Sequence, residues 1–289
     1  MKKFLLLGFI FISACSFPKL KPEIYSTNIN GPLTALVLGE GLARSYAHIG
    51  VIKALAEAEI PFHMLVTSGT GSLIGALYAN RKSANDLEWH GLSFKRDDYL
   101  DFSLFQEHKP ISGEKIEKFL SKRLAQPKIE KLPLPFYVTA TDLKTGQFYL
   151  FEKGSIVKAV QAGMAIPGIF EPIAYDDKLL VSGEISQGIP VDVALQKGAD
   201  FVIAVDLIQG IESYHFKKPR EVTIQSYKIT SAILSQNQLK QAHLIIRPEI
   251  SHISFLDFSR RREVMLAGYT ATKNAIPELR DLLDLKEED

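Results

Sequence analysis

The chain predicts an α/β fold built on a largely parallel sheet, and three observations carry that expectation. Strand-like and helix-like segments alternate from about residue 33 onward. The strand-like segments are continuous apolar runs rather than alternating ones, as suits strands covered on both faces. No internal repeat or linker interrupts the alternation, and 289 residues with 46% apolar content can bury one large core.

Taken in order, Ala35-Leu36-Val37-Leu38 reads as the first short strand, followed by a glycine-containing loop and a helix over 45–59. Met64-Leu65-Val66 is the next strand, then a Ser/Gly/Thr turn and a helix through Leu73 to Tyr78. Phe136 to Ala140 and Phe201 to Val205 are later buried strands with helical stretches between them. The segment 81–115 stands apart: it is charged, aromatic and weakly periodic, with Trp89, Phe94, Tyr99, Phe102 and Phe105. A lid, a membrane-facing loop and plain surface packing are its three readings. The triplet Arg260-Arg261-Arg262, close to Phe255 and Phe258, reads as a solvated helix start, with contact to acidic headgroups as the alternative.

Composition excludes more than it assigns. A formal charge of +1 gives no electrostatic case for nucleic acid. One cysteine permits neither an intramolecular disulfide nor a cysteine zinc site. The seven histidines show no ligand spacing, so neither a metal nor another cofactor is expected. His48 reads as a helix-face residue rather than a catalytic one.

The first residues read as an export signal. Met1-Lys2-Lys3 is a positive start, and Phe4 to Ile12 is an apolar run too short to span a bilayer, which takes about twenty residues. The run ends at Ile12-Ser13-Ala14-Cys15, which resembles the bacterial lipobox. That resemblance implies a signal peptide over 1–14, lipidation of Cys15 and a tether over 15–32, with the folded domain over 33–289. Ser16 after the cysteine implies the outer membrane. Multiple acyl chains would hold the protein there, since one chain alone binds marginally.

Gly39-Glu40-Gly41-Leu42-Ala43-Arg44 lies between a strand and a helix, where backbone N–H groups can hold an anion. It fails as a dinucleotide fingerprint, because the third glycine is absent. The longer run Leu36 to Val51 nevertheless resembles the first block of the patatin-like phospholipases, Gly-Gly-Gly-Gly-x-Arg-Gly followed by a helix that opens on Ala-His-x-Gly-Val. Ile60-Pro61-Phe62 and Leu73 to Ala79 resemble the approach to the family's nucleophile and the helix after it. Met164 to Phe170 resembles its third block. Leu179 to Glu184, Ile189 to Ala194 and Gly198-Ala199-Asp200 resemble its fourth. The resemblance runs from about residue 33 to near Leu282 and implies a three-layer α/β/α sandwich with a mainly parallel central sheet.

Such a family implies hydrolysis of lipid acyl esters by a Ser–Asp dyad. The serine sits in a Gly-x-Ser-x-Gly elbow, the aspartate in an Asp-Gly pair, and the first glycine loop supplies donors to the oxyanion. Aligned without gaps, the elbow here reads Thr67-Ser68-Gly69-Thr70-Gly71. Gly69 stands at the nucleophile position and Ser182, followed by Gly183, at the base position. In the oxyanion loop (Gly39, Glu40, Gly41, Leu42, Arg44), Glu40 and Leu42 replace glycines and Ser45 replaces the glycine after Arg44. A carboxylate at Glu40 that turned inward would repel the anion the loop serves. Gln161 and Gly163 replace the usual Arg and Ser of the third block.

The pattern implies a protein without an intact dyad that binds membrane lipid, or a protein partner, at the membrane. One alternative is an active hydrolase with a displaced nucleophile, Thr70 or Ser68, served by Asp176 or Asp177. Ser68 is crowded by Val66 and Thr70, whereas Thr70 has the small Ser68 and Ser72 around it. Asp192 is expected to start a helix. Another alternative is a structural or assembly lipoprotein whose pocket is vestigial.

Overall fold

In the structure, a computed structural model, residues 31–209 and 218–285 are described, apart from 94, 102, 104–106 and 108. Cys15, the residues expected to form an export signal, most of those expected to form a tether, Phe94, Phe102 and Phe105 lie outside the described residues. The elements run β1 (Thr34–Leu38), α1 (Tyr46–Glu57), β2 (Met64–Thr67), α2 (Gly71–Arg81), α3 (Ala84–Ser93), α4 (Glu114–Ser121), β3 (Phe136–Asp142), β4 (Phe148–Phe151) and α5 (Ile156–Gly163). They continue with β5 (Ile173–Tyr175), β6 (Lys178–Ser182), α6 (Glu184–Gln187), α7 (Val191–Gln196), β7 (Phe201–Val205), α8 (Pro219–Leu239), β8 (Leu244–Ile246) and α9 (Arg261–Leu282).

The sheet order is β5-β6-β3-β2-β1-β7-β8, with β4 also paired to β3. Five strands (β1, β2, β3, β7 and β8) are mutually parallel, and β4, β5 and β6 join antiparallel. β1 is central and pairs in register with β2 through Leu36↔Leu65 and with β7 through Leu36↔Ile203.

Successive side chains of a strand point to opposite faces, and here both faces are covered. Leu36, Leu38 and Leu65 pack with the apolar residues of α1, α2, α5 and α9. Ala35, Val37, Met64 and Val66 pack with Val191, Val193 and Ala194 of α7 and Leu239 of α8. That two-sided burial makes three layers and explains why the strands read as unbroken apolar runs.

α1 begins at Tyr46 rather than at Ser45, because Leu42–Ser45 forms a tight 3₁₀ turn. α1 and α9 cross with backbones touching: a Cβ on Gly50 would meet the Met265 carbonyl, and one on Gly268 would meet the Ala47 carbonyl. In the aromatic segment, Leu87, Tyr99 and Leu100 enter the core, while Trp89 is 67% exposed. Those three residues pack rather than form a free loop. The arginine triplet does open a helix: Arg261 begins α9 and donates to the Leu92 carbonyl, and Arg260 pairs with Glu263. Among the described residues no helix is long and apolar enough to cross a membrane.

Candidate active site

The loop after β1 and the turn after β2 meet at the carboxyl ends of neighbouring parallel strands, where open α/β sheets place their ligands. In the second turn the residue with left-handed backbone is Gly69, at φ +54°. Thr70 follows it and α2 begins at Gly71. The turn is tight: a Cβ on Gly71 would stand 2.6 Å from the Leu38 and Gly39 carbonyl oxygens.

Glu40 turns inward. Its side chain is 4% exposed, and Oε1 accepts from the backbone N–H of Gly41 at 2.7 Å and of Leu42 at 2.5 Å. Oε1 also accepts the Thr70 hydroxyl at 2.9 Å, while Oε2 accepts the Thr70 N–H at 2.8 Å. The loop's N–H donors therefore converge on an anion-binding position, and the chain's own carboxyl group fills it. The same group lies over Gly69, where an added Cβ would stand 2.7 Å from Glu40 Cβ and 2.8 Å from its Cδ. Burial, with the nearby Glu184 carboxyl second, raises the Glu40 pKa to about 7.

Glu184, the first residue of α6, is the second buried carboxyl. Its Oε1 accepts the Glu40 N–H at 2.6 Å and the Ser68 hydroxyl at 2.7 Å, and its Oε2 accepts the Ser231 hydroxyl of α8 at 2.7 Å. Burial is the main cause that raises its pKa. Three elements are thereby tied at one point: the loop after β1, the turn after β2, and α8.

The remaining loop residues are held from below. The His48 Nε2–H donates to the Gly39 carbonyl at 2.9 Å, and burial lowers its pKa to about 4, so the ring is neutral and structural. Arg44 is fully buried; it donates to the carbonyls of Ile253 and Ser251 and lies 3.9 Å over the Phe255 ring. It thus fixes the loop that walls the neighbouring cavity. Leu42 adopts φ +46°, a strained backbone for a branched side chain, where the resemblance implies glycine.

Ser182 ends β6 and is fully buried; its Oγ accepts the Tyr227 hydroxyl of α8 at 3.3 Å. Ser68 is equally buried and held by Glu184. Thr70 is hydrogen-bonded to Glu40 and to the Ser45 hydroxyl. Asp176 and Asp177 are not brought to either hydroxyl. They form the exposed turn between β5 and β6, where Asp177 pairs with Lys178. The acidic partners of Ser68 and Thr70 are Glu184 and Glu40 instead. Asp192 sits in the first turn of α7, and Gln161 donates to the Gly113 carbonyl. A side chain at Gly163 would strike Ser72 Oγ at 2.6 Å.

Two cavities flank the loop. One, of about 270 Å³, is lined by Glu40, Leu42, Ile166, Ile169, residues of α8 and the stretch Ser254 to Leu256. The other, of about 40 Å³, reaches Thr70 and Ser45 among apolar residues of α1, α2 and α3. Leu42 lines both. Among the described residues no group of three or more potential metal-ligating side chains occurs.

Sequence reasoning missed the parts that come from afar. Glu184 directly follows Ser182-Gly183, and an acidic residue in that apolar stretch was the available signal. Ser231, Tyr227 and the rest of the α8 wall have no motif.

Comparison with known proteins agrees with the fold. The family model for patatin-like phospholipase matches residues 36–195. Patatin-like phospholipase domain-containing protein 6 of Homo sapiens is 33% identical over 187 residues, covering 62% of this chain and 14% of that protein. An NTE family protein of Mycobacterium tuberculosis is 34% identical over 180 residues, covering 62% of this chain and 50% of that protein. Lysophospholipase nte1 of Aspergillus fumigatus is 28% identical over 283 residues, covering 86% of this chain and 18% of that protein. The chain thus spans at most half the length of these relatives. Among solved structures, VipD from Legionella pneumophila shares the fold at a TM-score of 0.52 and 14% identity, with 94% of this chain and 72% of that one covered. With the family model covering more than half of its length, the chain belongs to the patatin-like phospholipase family.

Proposed function

We propose that this protein is a catalytically silent member of its family that binds lipid at a membrane, anchored through Cys15 to the bacterial outer membrane. The observation that carries the reading is the Glu40 carboxyl seated on the N–H donors of Gly41, Leu42 and Thr70. Acyl transfer needs those donors for the oxyanion of the tetrahedral intermediate, and removing even one such donor commonly costs about 10²–10³ in rate. Gly69 offers no nucleophile, and Ser182 is no base near neutral pH. The cavity beside Glu40 supports retention of a ligand once chemistry is gone.

A second reading, an active hydrolase with Thr70 as nucleophile, is favoured by one contact, the Thr70 hydroxyl on Glu40. It asks one carboxyl to act as base while that group occupies the oxyanion position. Intact-mass analysis after incubation with a fluorophosphonate probe separates the two. No adduct is expected, alongside a labelled active relative as control; an adduct mapped to residues 67–72 would replace silence with a displaced nucleophile. Native mass spectrometry of the same preparation is expected to show bound lipid. A stable protein partner without lipid would favour the assembly role instead.

A further inference from the structure

We propose that the cavity beside Glu40 binds a single-chain amphiphile whose head is an N–H or O–H donor, such as a long-chain amine or alcohol, and discriminates against carboxylate heads. This inference deepens the lipid-binding reading and rests on it. Three observations lead there.

First, the polarity of the cavity where Glu40 lines it is inverted. A patatin-like oxyanion loop presents donors to a ligand oxygen. Here the N–H groups of Gly41, Leu42 and Thr70 are all given to Glu40, so a ligand meets a carboxyl group in their place. A ligand carboxylate would face like charge there, whereas a hydroxyl or ammonium would find an acceptor.

Second, the carboxyl has acceptor capacity left. Oε1 is crowded by three donors, but Oε2 takes only the Thr70 N–H, and with about two acceptor positions on each carboxylate oxygen one position on Oε2 stays open. At 4% exposed, Glu40 is itself buried, so a partner there is shielded from bulk water. A charge-assisted hydrogen bond in such a place is worth more than one at a surface.

Third, the volume suits one chain. About 270 Å³ falls just below the roughly 300–1,000 Å³ of ordinary small-molecule sites, which favours one chain over two. Ile166, Ile169, Ile224 and Leu256 supply an apolar wall for it. Arg220 and Lys228 also line the cavity, and they define the competing orientation, in which an anionic head contacts these cations and the tail faces Glu40.

The test uses the full chain in phosphatidylcholine nanodiscs at pH 8, photolabelled with diazirine analogues of octylamine, octanol and octanoate. Peptide mapping separates labelling inside the cavity from labelling by bilayer partition. The amine and the alcohol are expected to label peptides containing Ile166, Ile169 or Ile224 about tenfold more strongly than octanoate does, in competition with unlabelled ligand. Glu40→Gln is expected to cut the amine-to-octanoate ratio about tenfold, and a ratio within one preparation does not depend on how much of the variant folds. Equal or stronger cavity labelling by octanoate in the unaltered chain would overturn the donor-head proposal while leaving lipid binding intact. Absence of cavity labelling in all three arms would overturn both.

Discussion

The Glu40 carboxyl and Gly69 occupy one site between them: a Cβ added at Gly69 would stand 2.7 Å from Glu40 Cβ, and the backbone there is left-handed at φ +54°. A serine at position 69, where the family resemblance implies the nucleophile, therefore collides with Glu40. Gly69→Ser alone is expected to destabilise the fold by about 3 kcal/mol, from overlap plus backbone strain. Glu40→Gly should recover much of that loss, a coupling of about 1–3 kcal/mol between touching residues. Denaturant melts of the two single variants and the double variant measure it; simple additivity would mean the two sites do not share space.

Reactivity should follow the same logic. Glu40→Gly/Gly69→Ser/Ser182→Asp frees the donors, supplies a nucleophile and supplies a base. It is the combination expected to take a fluorophosphonate adduct at position 69, whereas Gly69→Ser with Glu40 retained is not. Labelling of that single variant would show that Glu40 leaves the donors accessible.

Two buried groups set opposing pH dependences. Glu40 has its pKa raised from 4.5 to about 7, so its contribution to stability is complete below pH 4.5 and is lost as pH rises through 7. His48 has its pKa lowered from 6.5 to about 4, so its contribution is complete above pH 6.5 and is lost as pH falls through 4. Each is worth about 1.4 kcal/mol per pH unit inside its window, and the two offset each other between pH 4.5 and 6.5. Glu40→Gln removes the Glu40 slope and leaves those of His48 and of the raised Glu184. The stability difference between the two proteins is expected to change by about 3 kcal/mol between pH 4.5 and 7, as read from urea midpoints. A flat difference curve would show that Glu40 does not titrate in that range.

Leu42 offers an inverted truncation series. Its side chain is 8% exposed, yet its φ of +46° strains any residue but glycine. Leu42→Gly is expected to destabilise less than Leu42→Ala, by about 1 kcal/mol, although it removes more of the side chain. The usual order, with glycine worse than alanine, would deny the strain.

Glu184 should tolerate amide substitution better than truncation. Glu184→Ala leaves the Glu40 N–H and the hydroxyls of Ser68 and Ser231 without their acceptor, at about 3 kcal/mol or more. Glu184→Gln keeps an acceptor oxygen for part of the set and should lose less. Thermal melts of the two variants decide the order.

The fold was legible because its signals are local. Runs such as Ala35 to Leu38 and Phe201 to Val205 announce strands buried on both faces, and both form strands. The blocks from Leu36 to Val51, Leu73 to Ala79, Met164 to Phe170 and Leu179 to Asp200 carried the family resemblance. Helix ends were less legible: the turn at Leu42–Ser45 takes the first residue expected of α1, since a 3₁₀ turn and an α-helix start alike in sequence. At the site, the sequence named Glu40 but could not show what its carboxyl would meet, because the Thr70 N–H approaches from another strand's turn. Glu184 reaches the Glu40 N–H from 144 positions away, with Ser231 and Tyr227 farther still, and no spacing rule links them.

The strand order bears on how the chain acquires its structure. β1 pairs with β7 through Thr34↔Phe201, so the first strand made waits for one encoded 167 residues later. Residues 36–195 hold the family signature but not β7 or β8, which extend the sheet beyond β1. A nascent chain released up to residue 195 thus keeps the central strand as an open edge, the kind of surface on which chains stick to one another. Sheets that close through such distant pairings nucleate slowly, because loop entropy is lost before contacts repay it. A fragment trimmed to residues 36–195 would leave β1 at the edge of its sheet and α1 without the α9 backbone it packs against.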